Sequence, residues 1–413
     1  MIQLGPVAVY PPNPMNSAAR FSISLLFFIQ FFIWGTWGVS MGTWMNTLGF
    51  SPVDIGKAFG ATSIAAMISP FIVGMIADRY FSAQRVLGIL HLAGGVLLYR
   101  ASLATNFSEF YPLLLGHTLC YMPTLALANS VAFSQMQDAA KSFGSIRVMG
   151  TFGWIAAGMV IGKLNLGAHA VQFQIGAGVS ILLGLYSLLL LPDVPPKAKG
   201  QPASIGSVLG LDALALLKDR SFAVFALGSF LICIPLAFYY SGTERFLTQI
   251  GVAEAPAKMT FGQMSEVLFM LVFPLMFARL GVKRMLLLGM ACWAARYVCF
   301  AYGNAAAGMG LLLLGIVLHG PCFDFFFVTG QVYVDQCAPE QMRSAAQCFI
   351  AFLTYGAGML VGSILQGYVI QAYSEGDKVN WAPTWLIPAA GSFGVLLLFL
   401  ALFKEPKRTV QSA

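Results

Sequence analysis

The chain has 413 residues, of which 58% are hydrophobic and only 9% are charged, and its mean hydropathy is +0.78. Because a soluble domain carries about 25% charged residues, this chain cannot cover a water-facing surface and is predicted to be a polytopic membrane protein. Its net charge of +7 is spread over short loops without a basic cluster, which excludes nucleic acid as a partner. The seven cysteines form no CxxC pair, so neither a metal site nor a cofactor is expected.

Twelve apolar segments are long enough to cross about 30 Å of hydrocarbon, and the first is too long for a cleavable signal peptide. Spans 1 to 12 are predicted at residues 21–47, 53–77, 86–105, 109–135, 143–165, 170–191, 222–249, 258–278, 284–303, 308–334, 343–371 and 382–403. The connections are short except for residues 192–220, a Pro- and Lys-bearing linker. The sequence therefore predicts an all-α protein of two six-helix halves, with these boundaries: tail 1–20, half 21–191, linker 192–220, half 221–405 and tail 406–413.

Basic residues are distributed unequally between the two sets of loops. The loops on the side of the termini and the linker carry Arg20, Arg79, Arg85, Lys141, Lys197, Lys199, Lys218, Arg220, Arg279, Lys283, Arg284, Arg343, Lys404, Lys407 and Arg408. The opposite loops carry only Lys57, Arg100, Lys163, Lys258 and Lys378. This positive-inside bias predicts that both termini are cytoplasmic.

A basic loop is repeated in the two halves. GMIADRYFSAQRVL at residues 74–87 follows span 2, and FARLGVKRMLLLG at residues 277–289 follows span 8. Parallel six-helix repeats are typical of the major facilitator superfamily. The first copy resembles that superfamily's loop motif, which implies a role in conformational gating, through Gly74, Asp78, Arg79 and Arg85. The second copy lacks the aspartate, and any short cytoplasmic loop tends to gather arginine.

Spans 5 and 8 carry ionisable residues, which cost at least about 2.5–3.5 kcal/mol in a membrane and therefore normally face a bundle interior or a wet cavity. Arg147, Thr151 and Trp154 follow one stripe of a helix, and so do Gln263 and Glu266. These two stripes are predicted to form a polar wall of a binding cavity. Alternatively, Arg147 reaches the membrane interface, or it forms a structural salt bridge with Glu266.

Span 10 contains the stretch HGPCFDFFFVTG. His319 and Phe323 share a helix face, whereas Asp324 points elsewhere. Pro321 removes a backbone donor and should kink the helix. We expect His319 and Phe323 to face a ligand and Asp324 to face a neighbouring helix, although a buried histidine can also be a structural, hydrogen-bonded group.

Weaker candidates lie on three other spans. They are Gln30, Trp34 and Trp37 on span 1, Tyr121 and Asn129 on span 4, and Tyr239, Tyr240 and Glu244 on span 7. Aromatic stripes at helical spacing pack more often than they bind ligands. The remaining buried ionisable residues, His91, His117 and Arg296, are interpreted as structural.

With these residues the chain resembles the nucleoside:proton symporter family of the major facilitator superfamily, from about residue 21 to residue 405. The resemblance depends on FFIWGTW, IADRYFSAQ, YMPTL, IRVMGT, GLDALALLK, SEVLF, RYVCFAYG, FDFF and RSAAQ, which occur in the family's order. It implies a bacterial inner-membrane protein that takes up nucleosides with protons by alternating access, as a monomer and without a cofactor.

The resemblance also implies roles for individual residues. The family's substrate-contacting positions fall on Arg147, Thr151, Trp154, Tyr240, Gln263, Glu266, His319 and Phe323, and proton coupling falls on Asp324 and Glu266. Two departures concern the substrate: His319 replaces the family's tyrosine, and Ala237 and Tyr240 replace its amides. Transport of another hydroxylated solute such as a sugar, or export of amphipathic compounds, remains the alternative. A ligand-binding receptor is a further one. A membrane enzyme is not expected, since no HExxH or GxSxG motif occurs.

Overall fold

A computed structural model of the chain describes residues 17–72, 80–136, 139–196, 211–376 and 378–405. Most of these residues are helical. Ser374–Glu375 and Lys378–Val379 pair as a short antiparallel hairpin. The two tails lie largely outside the described residues, and so do residues 197–210 of the central linker.

The N-terminal half is a bundle of long apolar helices. Span 1 is Ser17–Trp37 continued by Met41–Thr47, and spans 2 to 6 are Pro52–Ile72, Ala83–Ala101, Phe107–Ser134, Ala139–Lys163 and Val171–Leu189. Asn106 starts span 4 because its side chain accepts a hydrogen bond from the backbone N–H of Glu109. After span 6, the backbone of Val194 bonds with Ala83 and with the side chain of Gln84, which ties the start of the linker to span 3.

The C-terminal half repeats this arrangement with more interruptions. Span 7 is Arg220–Gln249, and spans 8 and 9 lie within Ala255–Tyr302. Span 10 consists of Met309–Val317, His319–Phe323, the π-helix Asp324–Val328 and Thr329–Cys337. Span 11 consists of Arg343–Ala351, the π-helix Phe352–Gly358 and Met359–Ala372. Span 12 is Trp381–Leu402. Short 3-10 helices at Leu211–Lys218 and Glu340–Met342 precede spans 7 and 11.

Each predicted span coincides with a helical segment of the described chain. Among the described residues, eight helical stretches are long and apolar enough to cross a membrane, and one of them contains both span 8 and span 9. Those two spans are separated at Gly281, whose φ of 70° is outside the helical range. Span 3 ends at Ala101, four residues before its predicted end, and the linker's last part is a 3-10 helix with Ala213 buried.

The two halves meet at one side of the bundle. This side is opposite the one that holds the start of span 1 and the end of span 12. There Thr43 of span 1 donates a hydrogen bond to Glu244 of span 7, and Arg245 Nη2 donates to Asn46 Oδ1 at 2.6 Å. Helix packing joins span 2 to span 11 and span 5 to span 8. We call this region the closed side: it comprises the ends of spans 1, 5, 7 and 11 and the beginnings of spans 2 and 8.

Candidate functional site

The break in span 10 is stabilised by a hydroxyl from span 8. Pro321 has no N–H, so the carbonyl of Val317 loses its usual helical partner. Ser265 Oγ lies 2.7 Å from that carbonyl oxygen and also accepts a hydrogen bond from the backbone N–H of Gly320 at 3.0 Å. A Cβ on Gly320 would lie only 2.6 Å from the backbone of Ser265, so glycine is needed for this approach. Ser265 is the residue before Glu266, so these bonds bring the break in span 10 close to Glu266.

His319 is fixed in the break by an arginine of span 9. Arg296 Nη1 lies 3.3 Å from His319 Nδ1. Because a guanidinium can only donate, Nδ1 accepts this bond and the imidazole proton is on Nε2. Nε2 faces Glu266 Oε2 at 3.9 Å. The imidazole also stacks on Tyr239 with 4.9 Å between ring centroids. His319 thus presents a fixed donor beside a carboxylate.

Aromatic rings surround this donor and acceptor pair. Phe323 lies 5.7 Å from His319 between ring centroids, and Tyr240 meets His319 edge-on at 6.0 Å. Gln263 lies one turn before Glu266, and the side chain of Glu266 is 24% exposed. The structure therefore brings together the predicted residues of spans 7, 8 and 10.

Span 5 supplies the predicted residues of the other half. The Arg147 guanidinium lies 4.2 Å above the ring of Phe31, and Trp154 meets Trp34 edge-on with centroids 5.4 Å apart. Thr151 and Trp154 are half-buried, and Trp154 also packs against the core of the C-terminal half. The span 5 face therefore reaches the interface between the halves.

The charged groups of the two halves interact across the interface, and among the described residues they form no close ion pair. Arg147 and Glu266 interact electrostatically, but within the described ranges no ion pair shorter than 4.0 Å joins them. Asp324 is fully buried, and neither carboxyl oxygen has a hydrogen-bond partner among the described residues. It interacts electrostatically with Glu266. The salt bridge between Arg147 and Glu266 is not formed in this structure.

The weaker candidates of spans 1 and 4 are mostly occupied inside the N-terminal half. Gln30 bonds with Thr124 at 2.6 Å and with His91 at 2.9 Å, and Tyr121 donates to the backbone of Gln30 at 2.5 Å. Trp37 is buried, whereas Trp34 faces Trp154. Trp34 therefore contacts the span 5 face, and Tyr121 packs against Trp34.

The predicted gating loop is only partly described. Gly74, Asp78 and Arg79 lie outside the described residues. Arg85 is exposed in the first turn of span 3. Hydrogen bonds from Gln84 and Ser82 lower the pKa of nearby Asp193 below its ordinary value.

Two functional residues of the site were not predicted from the sequence. Ser265 holds the broken helix and Arg296 sets the tautomer of His319. An arginine inside an apolar span indicates a buried hydrogen-bond partner, so the role of Arg296 could have been predicted. A serine beside Glu266 is common in helices and indicates no particular contact.

Two bundles of apolar helices with polar and aromatic side chains where they face each other are typical of membrane transporters. The family model "Nucleoside H+ symporter" matches residues 15–408, so the chain belongs to the nucleoside:proton symporter family, as its sequence indicates. It is 44% identical to the "Putative nucleoside transporter YegT" of Escherichia coli (strain K12), with 95% of each chain covered. It is 34% identical to the xanthosine permease of the same organism, over 94% of this chain and 96% of the permease.

Solved structures support the same assignment. A crystal structure of the nucleoside transporter NupG is 32% identical, with 94% of this chain and 100% of that chain covered and a TM-score of 0.87. The prediction of an integral membrane transporter is confirmed by this relationship.

Proposed function

We propose that this chain binds a nucleoside in the gap between spans 5, 8 and 10 and carries it inward together with protons. The observation that supports this most strongly is the fixed Nε2–H of His319 beside the Glu266 carboxylate, next to the Phe323 ring. A neighbouring donor and acceptor suit a hydroxyl or a nucleobase edge, and an aromatic ring suits the face of a base.

The half-exposed rings would hold the planar base. Phe323 and Trp154, from opposite halves, offer apolar faces to it. The hydroxyls and ring atoms of the nucleoside would bond with the polar groups, which are Arg147, Thr151, Tyr240, Gln263, Glu266 and His319. Because contacts come from both halves, substrate binding favours states in which the halves close around it.

Proton coupling would use Asp324 or Glu266. A buried carboxylate without a hydrogen-bond donor is costly in a membrane, and the Asp324 carboxyl is such a group among the described residues. Protonation removes that charge and lowers the cost of the step that turns the loaded carrier. Proton and substrate movement are coupled if protonation of the carrier and binding of the substrate favour the same conformational state.

The proposed topology has twelve membrane crossings in two halves, residues 21–191 and 221–405, with both termini in the cytoplasm. In this orientation the closed side faces outward, so the structure corresponds to a state sealed from the exterior. The loop containing Gly74, Asp78, Arg79 and Arg85 would then lie on the cytoplasmic side and control opening there.

Competition for labelled uridine uptake tests the substrate class. Proteoliposomes containing the protein are offered labelled uridine with unlabelled purine nucleosides, pyrimidine nucleosides, free bases or sugars. We expect nucleosides to compete and sugars to have no effect. Competition by sugars alone, or binding of uridine without accumulation inside the vesicles, would contradict the proposal.

A further inference from the structure

A second buried carboxyl lies at the closed side, on a different helix from Asp324. Glu244 of span 7 is 2% exposed and lies where the halves meet. Thr43 of the other half donates a hydrogen bond to Oε2, and Thr248 donates to Oε1 at 2.9 Å. The backbone at Gly167 also packs here, since a Cβ on that residue would lie 3.4 Å from Oε1. Glu244 is therefore enclosed by elements of both halves.

The surroundings of this carboxyl contain no close cation within the part of the chain that the structure describes. Among the described residues, no Lys, Arg or His nitrogen lies within 4.0 Å of it. The charged groups of the surrounding elements are otherwise engaged or exposed: Lys163 pairs with Glu254 at 2.7 Å, and His169 is at the surface. Arg245, the next residue in the chain, donates a hydrogen bond from Nη2 to Asn46 Oδ1.

Because Glu244 is enclosed by both halves and has no close cation among the described residues, its protonation is linked to whether the closed side is closed or open. A charged carboxylate between the halves is costly, whereas a neutral carboxylic acid keeps its hydrogen bonds with Thr43 and Thr248. Separation of the halves breaks the bond with Thr43 and admits water, which stabilises the charged form. By linkage, protonation and closure must favour each other.

We propose that Glu244 is a second proton-binding residue, whose protonation closes the outer side of the carrier. Because Glu244 lies at the closed side, its proton would bind and leave on the outer side. Glu244 therefore sets how often the carrier faces outward at a given external pH, without adding to the number of protons carried. This inference rests on the proposed function for its physiological direction, but not for its geometry.

Distances across the closed side test this role. Spin labels are placed at the exposed positions Leu48 and Tyr373, one on each half, in full-length Asp324→Asn protein in nanodiscs with its native cysteines replaced by serine. We expect the ratio of open to closed populations to rise with pH by up to tenfold per unit, as one proton allows. Adding Glu244→Gln should leave the closed population dominant at every pH. The matched control Glu109→Gln, an exposed acid on the same side, should keep the pH response.

A second variant and a second readout separate the outcomes. Thr43→Val should raise the open population at every pH and keep the pH response, because the carboxyl remains. The inference is overturned if the Asp324→Asn protein shows no pH response. It is also overturned if the pH response survives when Glu244→Gln is added, or if Glu244→Gln favours the open state. Gradient-driven uptake should persist in Glu244→Gln and be lost in Asp324→Asn; persistence in Asp324→Asn would instead overturn the proposed coupling residue.

Discussion

At the residue scale, the central feature is the tautomer of His319. Sequence spacing placed His319 and Phe323 on one face, and their rings lie 5.7 Å apart. The spacing could not show which ring nitrogen carries the proton, because that depends on Arg296, 23 residues away in the chain. Arg296 is interpreted from the sequence as structural, and its position behind the imidazole gives it a positioning role as well.

Replacing Arg296 should weaken substrate binding through His319. We expect Arg296→Gln to raise KM for uridine uptake about tenfold, since a hydrogen bond with a charged donor contributes about 1.5–3 kcal/mol. Uptake kinetics, normalised to the amount of folded protein, measure this, and ¹⁵N NMR of the imidazole reports the tautomer directly. In a His319→Tyr background the same substitution should change KM much less. An equal effect on KM in both backgrounds would show that Arg296 does not act through His319.

At the element scale, the broken span 10 combines predictable and unpredictable features. Pro321 correctly predicts that the helix is interrupted, because a missing donor is a property of the residue itself. The π-helix at Asp324–Val328 and the bond from Ser265 to Val317 could not be predicted, because both depend on how span 8 crosses span 10. Hydropathy indicated where the helical segments lie for the opposite reason, since membrane burial acts on each helix separately.

The crossing of spans 8 and 10 predicts a large difference between two glycines of span 10. We expect Gly320→Ala to destabilise the protein by about 1–3 kcal/mol, because the added methyl would overlap the backbone of Ser265. Gly310→Ala is the matched control, since no described atom lies within 4 Å of its added Cβ. Thermal unfolding of the two purified variants should show a lower Tm for Gly320→Ala alone. Equal Tm values would contradict the proposed close approach.

At the scale of the whole molecule, the described residues of the two halves are joined at the closed side by packing, hydrogen bonds and an exposed ion pair. Span 5 approaches span 8 so closely that a Cβ on Gly162 would overlap the backbone of Ala257. Lys163 and Glu254 then pair at the surface at 2.7 Å. The sequence predicted two six-helix halves, but which ends touch is a property of the conformational state and has no sequence signal.

A larger side chain at Gly162 should keep the closed side from sealing. We expect Gly162→Val to abolish net uptake while external uridine still binds, because the halves can no longer approach at this end. Uptake and equilibrium binding in oriented proteoliposomes separate these two effects. Gly178→Val, at a position of span 6 with no described atom within 4 Å of an added Cβ, should transport normally. Normal uptake by Gly162→Val would contradict this closure.

The exposed ion pair should contribute little at neutral pH. The hydrogen bond from Lys163 lowers the pKa of Glu254 below its ordinary value. The stabilisation from this pair is therefore complete above the ordinary pKa of a glutamate and is lost as the pH falls through the lowered pKa. We expect Glu254→Gln to reduce the closed population by a factor of about two, because surface pairs are weak and screened by salt. Spin-label distances at low and high salt measure this. At pH values below the lowered pKa the variant and the original protein should agree.

Gradient-driven uptake by the intact protein and by Asp324→Asn tests the central claim most directly. Proteoliposomes are given an inwardly directed proton gradient, and labelled uridine inside is followed over time. The account predicts accumulation above the external concentration only with the gradient, and only equilibration in Asp324→Asn. Equal uptake with and without the gradient, or undiminished accumulation in Asp324→Asn, would contradict it.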